Sequence, residues 1–246
     1  MSNNLVITIM AAGEGKRMNS NIPKVLHNFK NIPMLVRIIN ESLKLNPSKI
    51  IIITGKYDEL IKLNLALHID SNIFNNLYFI KQLQPNGTGD AIKTALPHYE
   101  NNDNVLILNG DMPLIKSSLL INFINSKSNL LIAKLDNPFG YGRIIEENNT
   151  FNAIREEKDC SELEKEINNV NVGIYNFSGY ILKKYIPLIK DNNVQKEYYL
   201  TDIIEIIKFN ENLNIKTYLI NENDKYMIMG VNTKKELDDL EKLFSE

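Results

Sequence analysis

Short runs of β-branched and other apolar residues alternate, in the first half of the chain, with stretches whose apolar residues recur every three or four positions. Leu5 to Met10, Ile50 to Thr54, Leu77 to Ile80 and Val105 to Leu108 are runs of the first kind and predict buried strands. Between them, Met34-Leu35-Ile38-Ile39-Leu43 and Leu60-Ile61-Leu63-Leu67 carry the spacing of a helix face that covers a sheet. Strands separated by crossover helices pair in parallel, so residues 1–125 predict a Rossmann-like, doubly wound α/β sheet.

Beyond residue 129 the pattern changes. Strands are predicted at Leu130 to Lys134, Tyr141 to Glu146 and Phe151 to Arg155, separated by the turn residues Asp136-Asn137-Pro138 and Glu147-Asn148-Asn149, as in a small β-rich insertion or lobe. A strand at Gly173 to Phe177, helical stretches at Ile181 to Ile189 and Tyr199 to Lys208, and a strand at Asn214 to Leu219 follow. A last helix starts at the N-cap candidate Asn232 or Thr233 and runs to the C-terminus. The chain thus reads as one domain: a half at 1–125, a half at 126–230 and a terminal helix at 231–246, with no hexapeptide repeat.

Composition narrows this picture. In 246 residues, 28 Lys and Arg stand against 30 Asp and Glu, a formal charge of -2, so no polybasic surface for nucleic acid or membrane is expected. Any anion must be held by local groups. Cys160 is the one cysteine, which excludes an intramolecular disulfide, and it has no partner at zinc-ligand spacing. With no basic leader and no apolar stretch of membrane-spanning length, a cytoplasmic protein is expected.

The chemistry concentrates at strand ends. In Ala11-Ala12-Gly13-Glu14-Gly15-Lys16-Arg17-Met18, Gly13 and Gly15 permit φ > 0 and close approach of backbone N–H groups to a polyphosphate, with Lys16 and Arg17 adding charge. The spacing fits neither the dinucleotide fingerprint nor the P-loop, and the alternative to a phosphate loop is a Gly-rich turn with solvated basic residues. Lys24, in Pro23-Lys24-Val25-Leu26, is placed to neutralise a transferring phosphoryl group, although an isolated lysine is more often a surface residue. Asp111 follows the fourth predicted strand in Asn109-Gly110-Asp111, at the sheet edge where ligands bind, and is a natural magnesium ligand or else a turn cap. Asn232, in Met229-Gly230-Val231-Asn232, is the candidate second oxygen donor.

These segments occur in order with Pro23-Lys24-Val25-Leu26-His27, Gly87-Thr88-Gly89-Asp90-Ala91, Gly110-Asp111-Met112-Pro113-Leu114, Gly140-Tyr141-Gly142-Arg143-Ile144 and Glu197-Tyr198-Tyr199-Leu200-Thr201-Asp202. Across nearly the whole chain the series resembles the N-terminal pyrophosphorylase domain of bacterial N-acetylglucosamine-1-phosphate uridylyltransferases. The chain departs from that pattern with Val172 in Asn171-Val172-Gly173, with Asn109 before Gly-Asp, and with Gln84-Pro85-Asn86 before Gly-Thr-Gly.

The resemblance implies a nucleotide-diphospho-sugar transferase fold with a small β-rich sugar-binding lobe. It implies transfer of UMP from UTP to N-acetylglucosamine 1-phosphate with Mg2+ as cofactor. Ala11, Ala12 and Gly13 would contact the nucleotide through their backbone, and Gln82, Gly87 and Thr88 would meet the uracil. Arg17 and Lys24 would hold the phosphates, Asp111 and Asn232 the magnesium, and Asn109 and Gly110 would line the same floor. Gly142, Glu156 and Asn171 would hydrogen-bond the sugar. Bifunctional members continue into a left-handed β-helix that trimerises and transfers acetyl groups. This sequence stops at Glu246, so neither property is expected of it, and a monomer or homodimer is. Two alternatives remain open at this point: another sugar-1-phosphate nucleotidylyltransferase, using glucose 1-phosphate with UTP or dTTP, and a non-catalytic nucleotide-sugar-binding module.

Overall fold

The computed structural model of the chain describes residues 4–147, 150–211 and 214–244. Among the described residues nine strands join one sheet: β1 (Leu5–Met10), β2 (Lys49–Thr54), β3 (Leu77–Lys81), β4 (Asn104–Asn109), β5 (Leu130–Lys134), β6 (Gly142–Glu147), β7 (Thr150–Arg155), β8 (Asn169–Ser178) and β9 (Thr217–Leu219). The main order is β9-β5-β8-β4-β1-β2-β3. Strands β4, β1, β2 and β3 are parallel neighbours, as the alternation of strand and helix demands, and β9 runs parallel to β5. Strand β8 lies antiparallel between β4 and β5.

The second half joins the same sheet and carries the expected β-rich insertion as a hairpin. Strands β5, β8 and β9 extend the central sheet, and only the β6–β7 hairpin branches away, pairing with the first residues of β8. Strand β8 begins at Asn169, four residues before the apolar run that marks it in sequence, because this polar start is held between β5 and β6. The last strand is shorter than predicted, Thr217–Leu219. The predicted turn residues Asn148 and Asn149 lie outside the described residues.

Helices cover both faces. Alternate residues of β1 divide between two cores: Leu5, Ile7 and Ile9 pack with Leu35, Ile38 and Ile39 of α1 (Met34–Leu43), while Val6 packs on the other side with helix residues such as Ile92. Each fully buried Ile or Leu of this kind contributes about 1.5–3 kcal/mol relative to exposure. Helix α2 (Asp58–His68) forms where predicted but is turned differently. It buries Asp58, Ile61 and Leu65, whereas Leu60, Leu63 and Leu67 are exposed. The physical reason is polar: the buried Thr54 hydroxyl at the end of β2 donates to Asp58 Oδ1 at 2.5 Å, and Lys62 Nζ donates to Asp58 Oδ2 at 2.7 Å, which fixes the rotation of the helix.

Apart from the four-residue helices Ser71–Phe74 and Glu162–Lys165, the next are α3 (Thr88–Ala95), α4 (Ser117–Asn125), α5 (Gly179–Tyr185) and α6 (Ile203–Glu211). The predicted helical stretches 181–189 and 199–208 thus each divide into an α-helix and a one-turn 3-10 segment, Ile186–Leu188 and Leu200–Asp202. The last helix, α7 (Lys234–Leu243), is capped by Thr233, whose hydroxyl accepts from Glu236 N. Its Leu237 and Leu240 join Met18, Phe29, Met34, Leu114 and Val231 in a third small core beneath the β1 and β4 loops.

Candidate functional site

Strands β1 and β4 are neighbours with Met10 opposite Asn109, so the loops that follow them leave the same carboxyl edge of the sheet. The chain passes from β1 outward to β3 on one side and returns to β4 on the other, and the crevice at such a switch point is where open α/β sheets bind ligands. Gly110 N donates to Met10 O at 2.9 Å and knits the two loops at their base. In the loop after β1, Gly15 takes φ +64°, and a Cβ there would stand 2.5 Å from Lys24 Cβ. Gly15 therefore lets the loop lie directly on Lys24. Gly13, expected to share this left-handed conformation, does not; it is exposed, with open space beside it.

Four nominated residues converge here from distant parts of the chain. Lys24 Nζ donates to Asp111 Oδ2, and to Asn232 Oδ1 at 2.9 Å. Arg17 Nη2 donates to the same Asn232 oxygen at 3.0 Å. Local bonds hold the members in place: Val231 N donates to Asp111 O at 2.9 Å, and Asn232 N donates to Glu236 Oε2 at 2.7 Å. Helix α7 thereby fixes Asn232 against Asp111, a proximity that sequence cannot reveal.

A cavity of about 380 Å³ opens beside this cluster. Arg17, Asp111, Asn109 and Asn232 line one part, Thr88 another, and Gly142, Glu156 and Asn171 a third. Glu156 Oε1 accepts from Thr201 Oγ1 at 3.0 Å. Burial pushes the Glu156 carboxyl above its ordinary pKa, the Thr201 bond opposes this, and Asp159 and Glu197 add to it. Asn171 Nδ2 donates to the Tyr175 hydroxyl at 2.8 Å, and Asn171 Oδ1 accepts from Gly173 N at 2.9 Å. A Cβ at Gly142 would stand 2.9 Å from Ile154 Cγ2 and 3.5 Å from Glu156 Oε2, so the hairpin packs closely on bare backbone here.

The remaining nominated residues do not line this cavity. Ala11 is buried and its N–H is engaged by Ile53 O at 2.8 Å. Ala12 and Gly13 continue the loop. Gln82 is buried after β3, where its Nε2 donates to Gly87 O at 3.2 Å and to Asp90 Oδ2 at 2.8 Å. Gly87 has φ +110° and is clasped by the 197–200 segment: Tyr198 N donates to Asn86 O and Gly89 N to Tyr198 O, both at 2.7 Å, and Leu200 N to Thr88 Oγ1 at 3.0 Å.

Several contributors carried no role in the sequence reading. Thr201 and Tyr175 anchor the two polar side chains of the third wall. Arg143 is almost completely buried and donates to Glu157 Oε2 at 2.7 Å, and the same carboxylate oxygen accepts from Gly140 N at 3.1 Å. Tyr141 lines the cavity; burial, then Asp111 and Glu236, push its hydroxyl above the ordinary tyrosine pKa. Arg143 and Thr201 stand within motifs quoted above, which was the available signal. Among the described residues no helix is long and apolar enough to cross a membrane.

The family model of the MobA-like NTP transferase domain matches residues 7–143. A probable UDP-N-acetylglucosamine pyrophosphorylase of Acanthamoeba polyphaga mimivirus is 44% identical over 98% of this chain and 96% of its own length. The bifunctional protein GlmU of Sulfurimonas denitrificans is 40% identical over 97% of this chain, and that of Francisella tularensis subsp. novicida 39% over 98%. The chain spans 53% and 51% of these two bifunctional relatives. A crystal structure of a UDP-glucose pyrophosphorylase complexed with UDP-glucose superposes with a TM-score of 0.75, covering 98% of each chain at 16% identity, which speaks to the fold.

Proposed function

The chain belongs to the UDP-N-acetylglucosamine pyrophosphorylase family of nucleotidyltransferases, and on that premise we propose that it transfers UMP from UTP to N-acetyl-α-D-glucosamine 1-phosphate. The products are UDP-N-acetylglucosamine and pyrophosphate. The observation that carries this reading is the convergence of Arg17, Lys24, Asp111 and Asn232 at one end of a cavity whose other walls hold Gly142, Glu156 and Asn171. A phosphate-handling cluster and a set of hydrogen-bonding groups then share one cavity of about 380 Å³.

In the proposed reaction an oxygen of the sugar phosphate attacks the α-phosphorus of UTP while the bond from that phosphorus to the bridging oxygen of pyrophosphate breaks. The nucleophile is already anionic at neutral pH, so no protein base and no covalent intermediate are needed. Positioning and charge neutralisation supply the rate. Lys24 and Arg17 supply positive charge to the phosphates. Ala11, Ala12, Gly13 and Gly110 provide backbone at the loop edge; Thr88, with Gln82 and Gly87 behind it, bounds the base end; and Asn109 floors the junction. Gly142, Glu156 and Asn171 orient the sugar.

The residues present fit magnesium. Two hard oxygen donors, Asp111 Oδ2 and Asn232 Oδ1, meet on one cationic group, the Lys24 ammonium. Among the described residues no group of three His, Cys, Asp or Glu side chains could hold an ion. Magnesium often takes one or two protein oxygens and completes its shell with phosphate and water, which is the donor set available here. When bound, it would neutralise phosphate charge. A cytoplasmic location completes the proposal.

The test is pyrophosphate release with Mg2+ from UTP, CTP, dTTP and GTP across a panel of sugar 1-phosphates. Turnover is expected with UTP and N-acetylglucosamine 1-phosphate. Preference for glucose 1-phosphate, or for dTTP, would instead select another nucleotidylyltransferase, and no turnover with any pair would select a binding module.

A further inference from the structure

Lys24 occupies an unusual place for a group expected to hold phosphate. Its ammonium donates to Asp111 Oδ2 and, at 2.9 Å, to Asn232 Oδ1, the two oxygens that the proposed function assigns to the metal. It is rooted firmly: the 3-10 turn Lys24–Leu26 buries Val25 and Leu26, and Gly15 packs against its Cβ. The Lys24 and Asp111 side chains are only 15% and 20% exposed, so water screens the pair weakly. Arg17 adds a second cation on the Asn232 oxygen at 3.0 Å.

An ammonium and a divalent ion compete for these oxygens. Magnesium requires ligands at about 2.0–2.1 Å in near-octahedral array, and a positive charge already seated among them repels it. We propose that Lys24 is a resident counter-ion which closes the metal site of the empty enzyme, so that the metal is admitted together with the nucleotide. This rests on the reading of Asp111 and Asn232 as the metal pair. A nucleoside triphosphate offers the ammonium several charged oxygens in exchange for one carboxylate and one amide, and the flexible stem of lysine lets the ammonium move without rebuilding the turn beneath it. Arg17 is drawn off Asn232 by the same phosphates. The exchange frees both metal oxygens as the phosphates that complete the metal shell arrive. By linkage the dependence is mutual: nucleotide raises metal affinity by the factor by which metal raises nucleotide affinity.

The test needs no turnover. Mn2+, a paramagnetic substitute for magnesium, is titrated into nucleotide-free wild-type protein and K24M, and the unbound ion is read by electron paramagnetic resonance. Removing one like charge a few ångströms from the ion is expected to tighten Mn2+ binding by about tenfold or more in K24M. Equal or weaker binding in K24M would overturn the inference. Tight binding that persists in K24M/D111A would place the ion elsewhere, defeating the metal-pair assignment itself and leaving the proposed transfer reaction to its own substrate test. A measurement on wild-type protein keeps the question open to refutation if K24M fails to fold: saturating Mn2+ should expose the Lys24 amine and speed its labelling by an amine-reactive ester, read by mass spectrometry, several-fold. An unchanged labelling rate would overturn the inference.

Discussion

The hydroxyl of Thr201 donates to Glu156 Oε1 at 3.0 Å, tying the 3-10 turn before α6 to the residue that follows β7. That bond lowers the pKa of a carboxyl which burial, Asp159 and Glu197 all raise. Thr201→Val removes the donor without much change in shape, so Glu156 should ionise at a higher pH. The acidic limb of the kcat/KM profile for the sugar 1-phosphate is expected to move to higher pH. KM for that substrate should rise about tenfold, in line with one lost hydrogen bond to a charged group, while KM for UTP stays near wild type. Parallel profiles of the two proteins over pH 5 to 9 would decide it.

Loss of Asp111 removes the carboxylate from the cluster and leaves the Lys24 ammonium with Asn232 alone. Asp111→Ala is expected to abolish metal-supported pyrophosphate release. Lys24→Ala should lower kcat by about 10²–10³, the range for removing one group that stabilises developing charge. Near-wild-type turnover by either variant defeats the assignment.

Gly87 is the strained position of the base end. With φ +110° and ψ 175° it occupies a region open essentially to glycine, and a Cβ would stand 2.6 Å from Tyr198 O, a backbone atom with no room to yield. Gly87→Ala is expected to destabilise the fold by about 2 kcal/mol or more. The midpoint of urea unfolding should fall, and KM for UTP should rise as Gln82 and Thr88 lose their support.

Asp202 gives stability a pH dependence of its own. Burial first, then Glu205 and Glu156, push its carboxyl from 3.8 to about 6 despite Arg155 nearby. The folded state therefore holds this proton more tightly than the unfolded chain does. Its contribution is fully present below the unfolded value of 3.8 and is lost as pH rises through about 6. Asp202→Asn should remove that loss. Thermal unfolding at pH 7 is expected to show a higher Tm for the variant than for wild type, with the advantage shrinking toward pH 4.

Much of this molecule is legible in its sequence, for identifiable reasons. Strands β1, β2 and β4 announce themselves because both faces of a parallel sheet are covered, which forces unbroken apolar runs such as Ile50 to Ile53. The phosphate-side loops are legible because their residue types are chemically unusual at strand ends. What was not legible depends on tertiary partners. The face of α2 is set by the Thr54–Asp58 bond and not by its leucines. The polar start of β8 is a strand only because β5 and β6 flank it. Asn232 meets Lys24 across 208 positions of chain. Its position depends on Leu237 and Leu240 docking in the third core, a contact that no local pattern records.

Strand β8 has a final consequence. Its register against β5 shifts between Asn171 and Tyr175, where Gly173 takes φ +80° and lies against Asn109 at the end of β4. The later residues Tyr175 to Ser178 pair with β4, while Val170 and Asn171 pair with the hairpin. One continuous backbone, bent once, thus spans from the floor beneath the proposed phosphates to the wall of the proposed sugar site. Under the proposed function this one strand would hold the phosphate floor and the sugar wall in a common frame.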